Sequence, residues 1–369
     1  MWGKDSGMTT SESQRLRLGV IFGGASGEHE VSVVSAQHVM AAVDKERFEV
    51  VSIGVTKTGA WLTPEETREQ MAAPAAPFKK TLRLPEGEGL MARAAAWLAF
   101  SMIDVAFPLI HGPGGEDGTL QGLLELSNLP YVGAGVAASA VGLDKALMKS
   151  LLWAAGLPVV DFVVVTQTRW EREAEAVRTE IEEKIPYPVF VKPCNGGSSV
   201  GITKVRSRED LGAAMDEAFR FDRKLIVEKG VECREIECAI LGNDEPEASG
   251  LGEIRYKREF YDYTAKYLDP STELITPAKV PEEVASRVRQ TAIDAYRAID
   301  CAGMARVDCF LTPTGEVFVD ELNTVPGFTP GSMYPRLWQV AGLPYTGLIS
   351  RLIDLAQERF EQRKQFAQA

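Results

Sequence analysis

Two acids, an arginine and an asparagine near the C-terminus carry the clearest chemistry in the sequence. In the run Gly303–Gly327, Arg306 and Asp308 share one face of a predicted strand, and Glu321 and Asn323 share a face of the next. Pro313-Thr314-Gly315-Glu316 can close a hairpin between them. A turn centred between Thr314 and Gly315 sets Asp308 opposite Glu321 and Arg306 opposite Asn323, with directly opposed Cβ atoms about 4.5–5.5 Å apart. Facing carboxylates repel unless a cation lies between them. A hard cation with oxygen ligands meets that need, and Mg²⁺ shared with nucleotide phosphates is the usual arrangement. The alternative is a surface hairpin with solvated acids; Arg306 and Asn323 beside them favour the cation.

Four further segments carry weaker signals. Lys192 ends an apolar strand and leads into Gly196-Gly197-Ser198-Ser199-Val200-Gly201, a run whose free N–H and hydroxyl donors suit phosphates, or an ordinary turn. It does not match the G-x-x-x-x-G-K-[ST] phosphate loop. Glu228 and Lys229 end another apolar strand shortly before Glu235, and such a segment can hold an adenine amino group and a ribose or be a plain exposed turn. Glu28 precedes a helix, where its charge suits the helix dipole, and His111 stands at a strand end, where a lone histidine is more often structural than catalytic. The stretch Arg255–Pro277 interleaves Tyr256, Phe260, Tyr261, Tyr263 and Tyr267 with Lys257, Arg258 and Lys266. Stacking on nucleic-acid bases is one use for such a segment; a lid over a nucleotide and its phosphates is the one this acidic chain favours.

The elements that must position these residues follow from apolar periodicity. Strands at Leu18–Phe22, Glu49–Val55 and Asp104–Leu109 alternate with a helix from about Glu30, which implies an open parallel sheet with ligands at the carboxyl ends of its strands. A connection rich in Pro, Ala and charge spans Thr63–Pro77. Asp144 is the expected N-cap of a helix Lys145–Ala155. Strands Val189–Lys192, Ser199–Val205, Leu225–Glu228 and Glu235–Leu241 then give an α+β pattern, followed by a helix Pro281–Ile299, the strand pair and a last helix Leu343–Arg363. The fold expected is a Rossmann-like α/β domain over residues 18–144, preceded by a disordered tail 1–17. A two-part α+β unit follows, 145–230 and 231–369, with a lid loop at 255–277.

A chain of 369 residues supports more than one core. Its net charge of −12 argues against nucleic acid or an anionic membrane as the main partner. Five cysteines without a CxxC pair point to reduced, mostly buried thiols in a cytoplasmic protein. Met1–Arg17 lacks the apolar core of a signal peptide.

The segments GGASGEHEVS, HGPGGEDGTLQG, VGLDKALMK, VKPCNGGSSVG, YDYTAKY, ARVDCFL and DELNTVPGFT, in this order, resemble the D-alanine–D-alanine ligases of the ATP-grasp superfamily. The resemblance runs from about Leu18 to the last helix and implies an ATP-grasp fold in the second part of the chain. It implies ATP-dependent joining of two D-alanines through an acylphosphate, for peptidoglycan precursors. It also implies that Lys145, Lys192, Ser199, Lys229 and Lys266 serve the nucleotide, with Glu228 and Val231 at the adenine and Glu235 at the ribose. Asp308, Glu321 and Asn323 would hold two Mg²⁺ ions, for which Mn²⁺ can substitute. Glu28 would bind the ammonium of the first D-alanine beside His111, with Ser198 and Tyr267 linked to Glu28 in holding the lid shut. Arg306 and the Gly327 N–H would stabilise the tetrahedral oxyanion, and Ser332 and Met333 would flank the second D-alanine. A homodimer is expected of the family. The rivals are a ligase with D-lactate or D-serine as second substrate, another ATP-grasp ligase, and a non-catalytic nucleotide-binding regulator; the tyrosine-bearing YDYTAKY favours D-alanine.

Overall fold

The computed structural model describes residues 15–72, 99–255 and 272–367. Three strands, β1 (Leu16–Gly23), β2 (Phe48–Val55) and β3 (Val105–Pro108), form a parallel sheet in the order β2-β1-β3. Their nearly continuous apolar sequence fits a sheet covered on both faces. Leu18, Val20 and Phe22 face one apolar cluster with Ala36 and Val39 of α1 (His29–Ala42), while Ile21 faces another with Leu120 and Leu124 of α3 (Thr119–Leu126). The strand starts at Leu16, inside the expected tail. Arg17 is tied there to Asp104 through its backbone N–H at 2.8 Å and its guanidinium at 2.6 Å.

The expected connection at Thr63–Pro77 instead contains a helix, α2 (Pro64–Ala72). Thr63 and Glu66 build a reciprocal cap: the Thr63 N–H donates to Glu66 Oε2 at 2.8 Å and the Glu66 N–H donates to Thr63 Oγ1 at 3.3 Å. Pro64 occupies the first helical turn, where its missing donor costs nothing.

After α4 (Val136–Leu143), Asp144 caps α5 (Lys145–Ala154) as its sequence position predicts, accepting from the N–H groups of Ala146 and Leu147 at 3.1 Å each. An antiparallel sheet follows in the order β4-β7-β5-β6, from β4 (Phe162–Thr166), β5 (Val189–Pro193), β6 (Thr203–Val205) and β7 (Lys224–Lys229). Two helices that the strand-rich expectation lacked, α6 (Gln167–Lys184) and α7 (Arg208–Ala218), cover one face with Val177, Ile181, Leu211 and Met215. The expected strand Ser199–Val205 is reduced to its last three residues, because Ser198 and Ser199 take φ of 52° and 57° and cannot stay extended.

The third sheet is also antiparallel, in the order β10-β9-β8-β11-β12: β8 (Arg234–Gly242), β9 (Glu247–Arg255), β10 (Glu273–Ile275), β11 (Gly303–Leu311) and β12 (Val317–Asn323). α8 (Glu282–Ala298) lies on it through Val288, Ala292 and Tyr296. β10 falls inside the expected lid loop 255–277 and pairs with β9; residues 256–271 lie outside the described residues.

The β11–β12 hairpin contains one irregularity that matters. Leu311 faces Val317, Phe310 faces Phe318 and Cys309 faces Val319, so the turn centres on Thr314 rather than between Thr314 and Gly315. The register then shifts, and Asp308 faces Glu321 and Arg306 faces Asn323, the pairs expected from sequence. Asp320 is the extra residue of this β-bulge. Val317, Val319 and Leu322 remain in the core while Asp320 and Glu321 both line the same cleft. Regular alternation would have turned Glu321 into the core.

Finally, α9 (Met333–Val340) and α10 (Tyr345–Ala367) close the chain. Leu348, Leu352 and Ile353 of α10 join Leu18 and Val39 to Ala239 and Leu241, so the first and third sheets share a core.

Gly23 ends β1 at φ 97°, and a Cβ there would meet the Val55 carbonyl oxygen at 2.1 Å. Gly23→Ala should therefore destabilise the protein by about 2–4 kcal/mol, read as a lowered denaturant midpoint at unchanged m-value.

Candidate active site

A cleft of about 810 Å³ opens between the second and third sheets. Its apolar wall includes Phe190, Val231 and Phe310, and its polar wall includes Lys145, Lys192, Asp308, Asp320 and Glu321. Gly196, Gly197, Ser198, Ser199 and Val200 cover one side, and Glu228, Lys229 and Glu235 line another. Each charged group is placed by a specific local feature. Lys145 is the first residue of α5, and its Nζ donates to the Gly196 carbonyl and to Glu321 Oε1, each at 2.8 Å. Burial draws the Lys145 pKa down, but Glu321 more than offsets this and holds the amine above its ordinary value. Lys192 belongs to β5 and is paired with Glu228 Oε2 at 2.7 Å and Asp320 Oδ1 at 3.4 Å. The same balance applies: burial lowers its pKa, and Asp320 and Glu228 raise it well above the normal lysine range.

Arg306 lies where this cleft meets a second, smaller pocket of about 160 Å³, and it lines both. Its Nε and Nη2 each donate to an oxygen of Asp308 at 2.7 Å, and Nε stands 3.1 Å from Glu237 Oε1. Burial opposes the charged guanidinium, but Asp308 and Glu237 outweigh it and keep Arg306 protonated. Asn323 Nδ2 donates to Asp308 at 2.9 Å. Three of the residues with expected metal or oxyanion roles are thus in direct contact.

The smaller pocket gathers Glu28, His111, Glu116, Asn323, Gly327, Ser332 and Met333. Loops at the ends of β1 and β3 bring in Glu28 and His111, as the parallel-sheet rule requires. Glu28 accepts a hydrogen bond from Ser198 Oγ, which links the first sheet's loop to the glycine-rich loop. Ser332 Oγ and Thr329 Oγ1 are 2.8 Å apart. Met333 is buried against Gly252, where a Cβ would come within 2.4 Å of its sulfur.

Of the residues singled out by sequence for a role in the site, the lid segment from Tyr256 to Tyr267, with Lys266, lies outside the described residues; Glu28, His111, Lys145, Lys192, Ser198, Ser199, Glu228, Lys229, Val231, Glu235, Arg306, Asp308, Glu321, Asn323, Gly327, Ser332 and Met333 all border one of these two spaces. Four residues were missed. Asp320 was hidden by the bulge, and Lys149 by its place in an ordinary amphipathic helix. Glu237 shares a strand face with Glu235 and stands opposite Asp308, so its period-two spacing could have revealed it. Glu116 lay within the HGPGGEDGTLQG segment without a role. It accepts the Gly112 N–H at 2.6 Å and the Val325 N–H at 2.9 Å, while His111 Nδ1 is 2.9 Å from the Val325 carbonyl. Ligand atoms of Glu28, His111 and Glu116 lie within 4.8 Å of one another. Burial, with Glu28 nearby, pushes the Glu116 pKa up to about 7 even though both N–H bonds act to lower it.

Comparison with known proteins matches residues 17–134 to the D-ala D-ala ligase N-terminus and residues 151–354 to the D-ala D-ala ligase C-terminus. The chain is 49% identical to a D-alanine--D-alanine ligase of Geobacillus thermodenitrificans, over 95% of this chain and 98% of that protein. It superposes on the D-alanine-D-alanine ligase of Coxiella burnetii with a TM-score of 0.80, at 35% identity and covering 96% of this chain and 98% of the other. A Bacillus anthracis D-alanine--D-alanine ligase solved with ATP gives 0.72 at 27% identity, covering 94% and 99%.

The carboxyl of Glu116 is raised in the folded state, so its contribution to stability is full below its unfolded value, near 4.5, and is lost as pH rises through about 7. Measured by thermal melts from pH 5 to about 9, the stability difference between wild type and Glu116→Gln should move against wild type across that rise. A difference that does not change with pH would contradict the shift.

Proposed function

The chain belongs to the D-alanine–D-alanine ligase family, and from that membership we propose that it uses ATP to join two D-alanines into D-alanyl-D-alanine, a peptidoglycan building block. The observation that carries this reading is the position of Arg306 at the junction of a nucleotide-sized cleft and a small polar pocket. An acyl group activated in the first space can be attacked in the second without leaving the site.

In this reading Lys145, Lys192 and the Ser198–Ser199 loop receive the phosphates, Lys229 and Lys266 add charge, and Glu228 and Val231 meet the adenine, with Glu235 at the ribose. The γ-phosphoryl passes from ATP to the carboxylate of the first D-alanine, giving an acylphosphate and ADP. Glu28 holds that substrate's ammonium, with His111 beside it, and Ser198 and Tyr267 link to the Glu28 side chain in holding the lid shut. The deprotonated amine of the second D-alanine, flanked by Ser332 and Met333, attacks the acyl carbon. Arg306 and the Gly327 N–H stabilise the oxyanion, and its collapse expels phosphate and leaves the peptide bond. Exclusion of water by the covering loop protects the acylphosphate until the amine arrives.

Asp308, Glu321 and Asn323 form a hard oxygen donor set, and their two carboxylates already draw Arg306 and Lys145 to themselves, which supports a fit to divalent cations. Bound Mg²⁺, or Mn²⁺ in its place, supplies Lewis-acid charge at the transferring phosphoryl group. Among the described residues no helix is long and apolar enough to cross a membrane. The need for ATP supports action in the cytoplasm, and the family supports a homodimer.

The test is phosphate release from ATP and Mg²⁺ with D-alanine, L-alanine, or D-alanine plus D-lactate or D-serine, each product identified by mass. D-Alanyl-D-alanine as the product with D-alanine alone is expected. A depsipeptide or a D-seryl product would move the second-substrate assignment, and ATP binding without turnover would replace the reading by a regulatory one. Arg306→Ala should lower kcat by about 10²–10³, equivalent to about 2.7–4 kcal/mol for one oxyanion donor. Wild-type turnover in that variant would remove Arg306 from the mechanism.

A further inference from the structure

Beneath the nucleotide cleft is a closed ring of four charges that the reaction scheme uses only in part. Glu228 bridges two lysines, with Oε1 at 2.7 Å from Lys149 Nζ and Oε2 at 2.7 Å from Lys192 Nζ. Asp320 Oδ1 bridges the same two lysines at 3.0 Å and 3.4 Å. The ring is graded in depth. The Lys149 side chain has no exposed surface and that of Glu228 only 2%, while Lys192 keeps 10% and Asp320 20%. Lys192, Glu228 and Asp320 line the cleft, and Lys149, reaching up from α5, does not.

A buried lysine that touches no ligand space acts through its partners. Lys192 is the ring's cation at the cleft surface, and it faces two carboxylates. Without a second cation, those two acids would carry more negative charge than Lys192 supplies, and the floor would repel a polyphosphate. Lys149 cancels one of them, and the ring is then neutral as a whole. Two of the three N–H donors of Lys192 are spent on Glu228 and Asp320, and the third can be offered into the cleft. The bulge is part of the device, because only the extra residue in β12 lets Asp320 face the same space as Glu321.

We propose that Lys149 is a positioning residue for nucleotide binding: it neutralises one of the two acids that hold Lys192, leaving the charge of Lys192 available to the nucleotide phosphates. The proposal rests on the reading of the cleft as an ATP site, and it makes the sign of each charge change decisive. Lys149→Met leaves a surplus acid and should raise the ATP Kd about tenfold. Asp320→Asn leaves a surplus cation and should lower it about threefold. The double variant Lys149→Met/Asp320→Asn restores neutrality and should return to within about threefold of wild type. A role in packing alone would instead make the losses accumulate.

The experiment is calorimetric titration of the full-length protein and the three variants with ATP and Mg²⁺ in the absence of D-alanine, paired with the KM for D-alanine. Opposite shifts for the two single variants, recovery in the double, and a D-alanine KM within about twofold of wild type are expected. Weaker binding in all three variants, or unchanged binding in Lys149→Met, would overturn the proposal. If Lys149→Met fails to fold, Asp320→Asn still decides, because weaker or unchanged ATP binding there contradicts the charge balance. Wild-type protein that binds no ATP would refute the nucleotide reading itself, an outcome distinct from these.

Discussion

The arrangement of the site depends on holding a buried guanidinium, Arg306, at the boundary between two cavities. Burying a cation there is expensive unless carboxylates accompany it, and Asp308 and Glu237 do so from the same strand and from the neighbouring one. Those acids then need the geometry of the third sheet to face the same way. The hairpin supplies it through register: Asn323 opposite Arg306 and Glu321 opposite Asp308 put hydrogen-bonding and charged groups around one point. The bulge at Asp320 makes this compatible with a continuous core, since Val317, Val319 and Leu322 all stay inside. A regular strand would have had to give up either the core or one of the acids.

The second sheet contributes the opposing surface. Lys192 and the glycine-rich loop come from β5, and Lys145 from the capped end of α5, so these two lysines reach the cleft from elements other than those carrying Asp308, Asp320 and Glu321. Cross-sheet pairs such as Lys145–Glu321 and Lys192–Asp320 therefore set the distance between the two walls as well as their charge. In a partly dry cleft such pairs act at lower effective dielectric than surface pairs, and they couple the position of each wall to the other.

Much of this was legible in the sequence, and what was not has identifiable causes. The parallel first sheet, the Asp144 cap and the facing pairs Arg306–Asn323 and Asp308–Glu321 follow from period, turn chemistry and strand ends. The pairs came from a turn centre displaced by half a residue, and the bulge restored them. That bulge was itself encoded, because apolar residues at 317, 319 and 322 break the period of two. The capping box at Thr63–Glu66 was likewise readable and marks α2. The helices α6 and α7 were hidden by sparse apolar positions, with only Trp170, Val177 and Ile181 buried along α6. Glu116 and Lys149 could not be ranked by any local pattern, since each has a partner more than 100 residues away, Val325 for Glu116 and Asp320 for Lys149.

Those distant partners explain why the first sheet belongs to the same functional unit as the third. The segment after β12 is held at Val325 from both sides of one peptide group's neighbourhood: its N–H goes to Glu116 and its carbonyl meets His111. Both anchors come from the loop that follows β3. Gly327 is two residues beyond, so the place of its N–H is set by a loop of the first sheet as much as by its own strand. The shared apolar cluster from β1 through α10 to β8 keeps the two sheets in fixed relation, and the hydrogen bonds at Val325 carry that relation into the site. A shift of the first sheet would move Glu28, His111 and the Gly327 segment together against Arg306 and Asn323 of the third sheet, so the shape of the small pocket depends on how firmly the two sheets are joined.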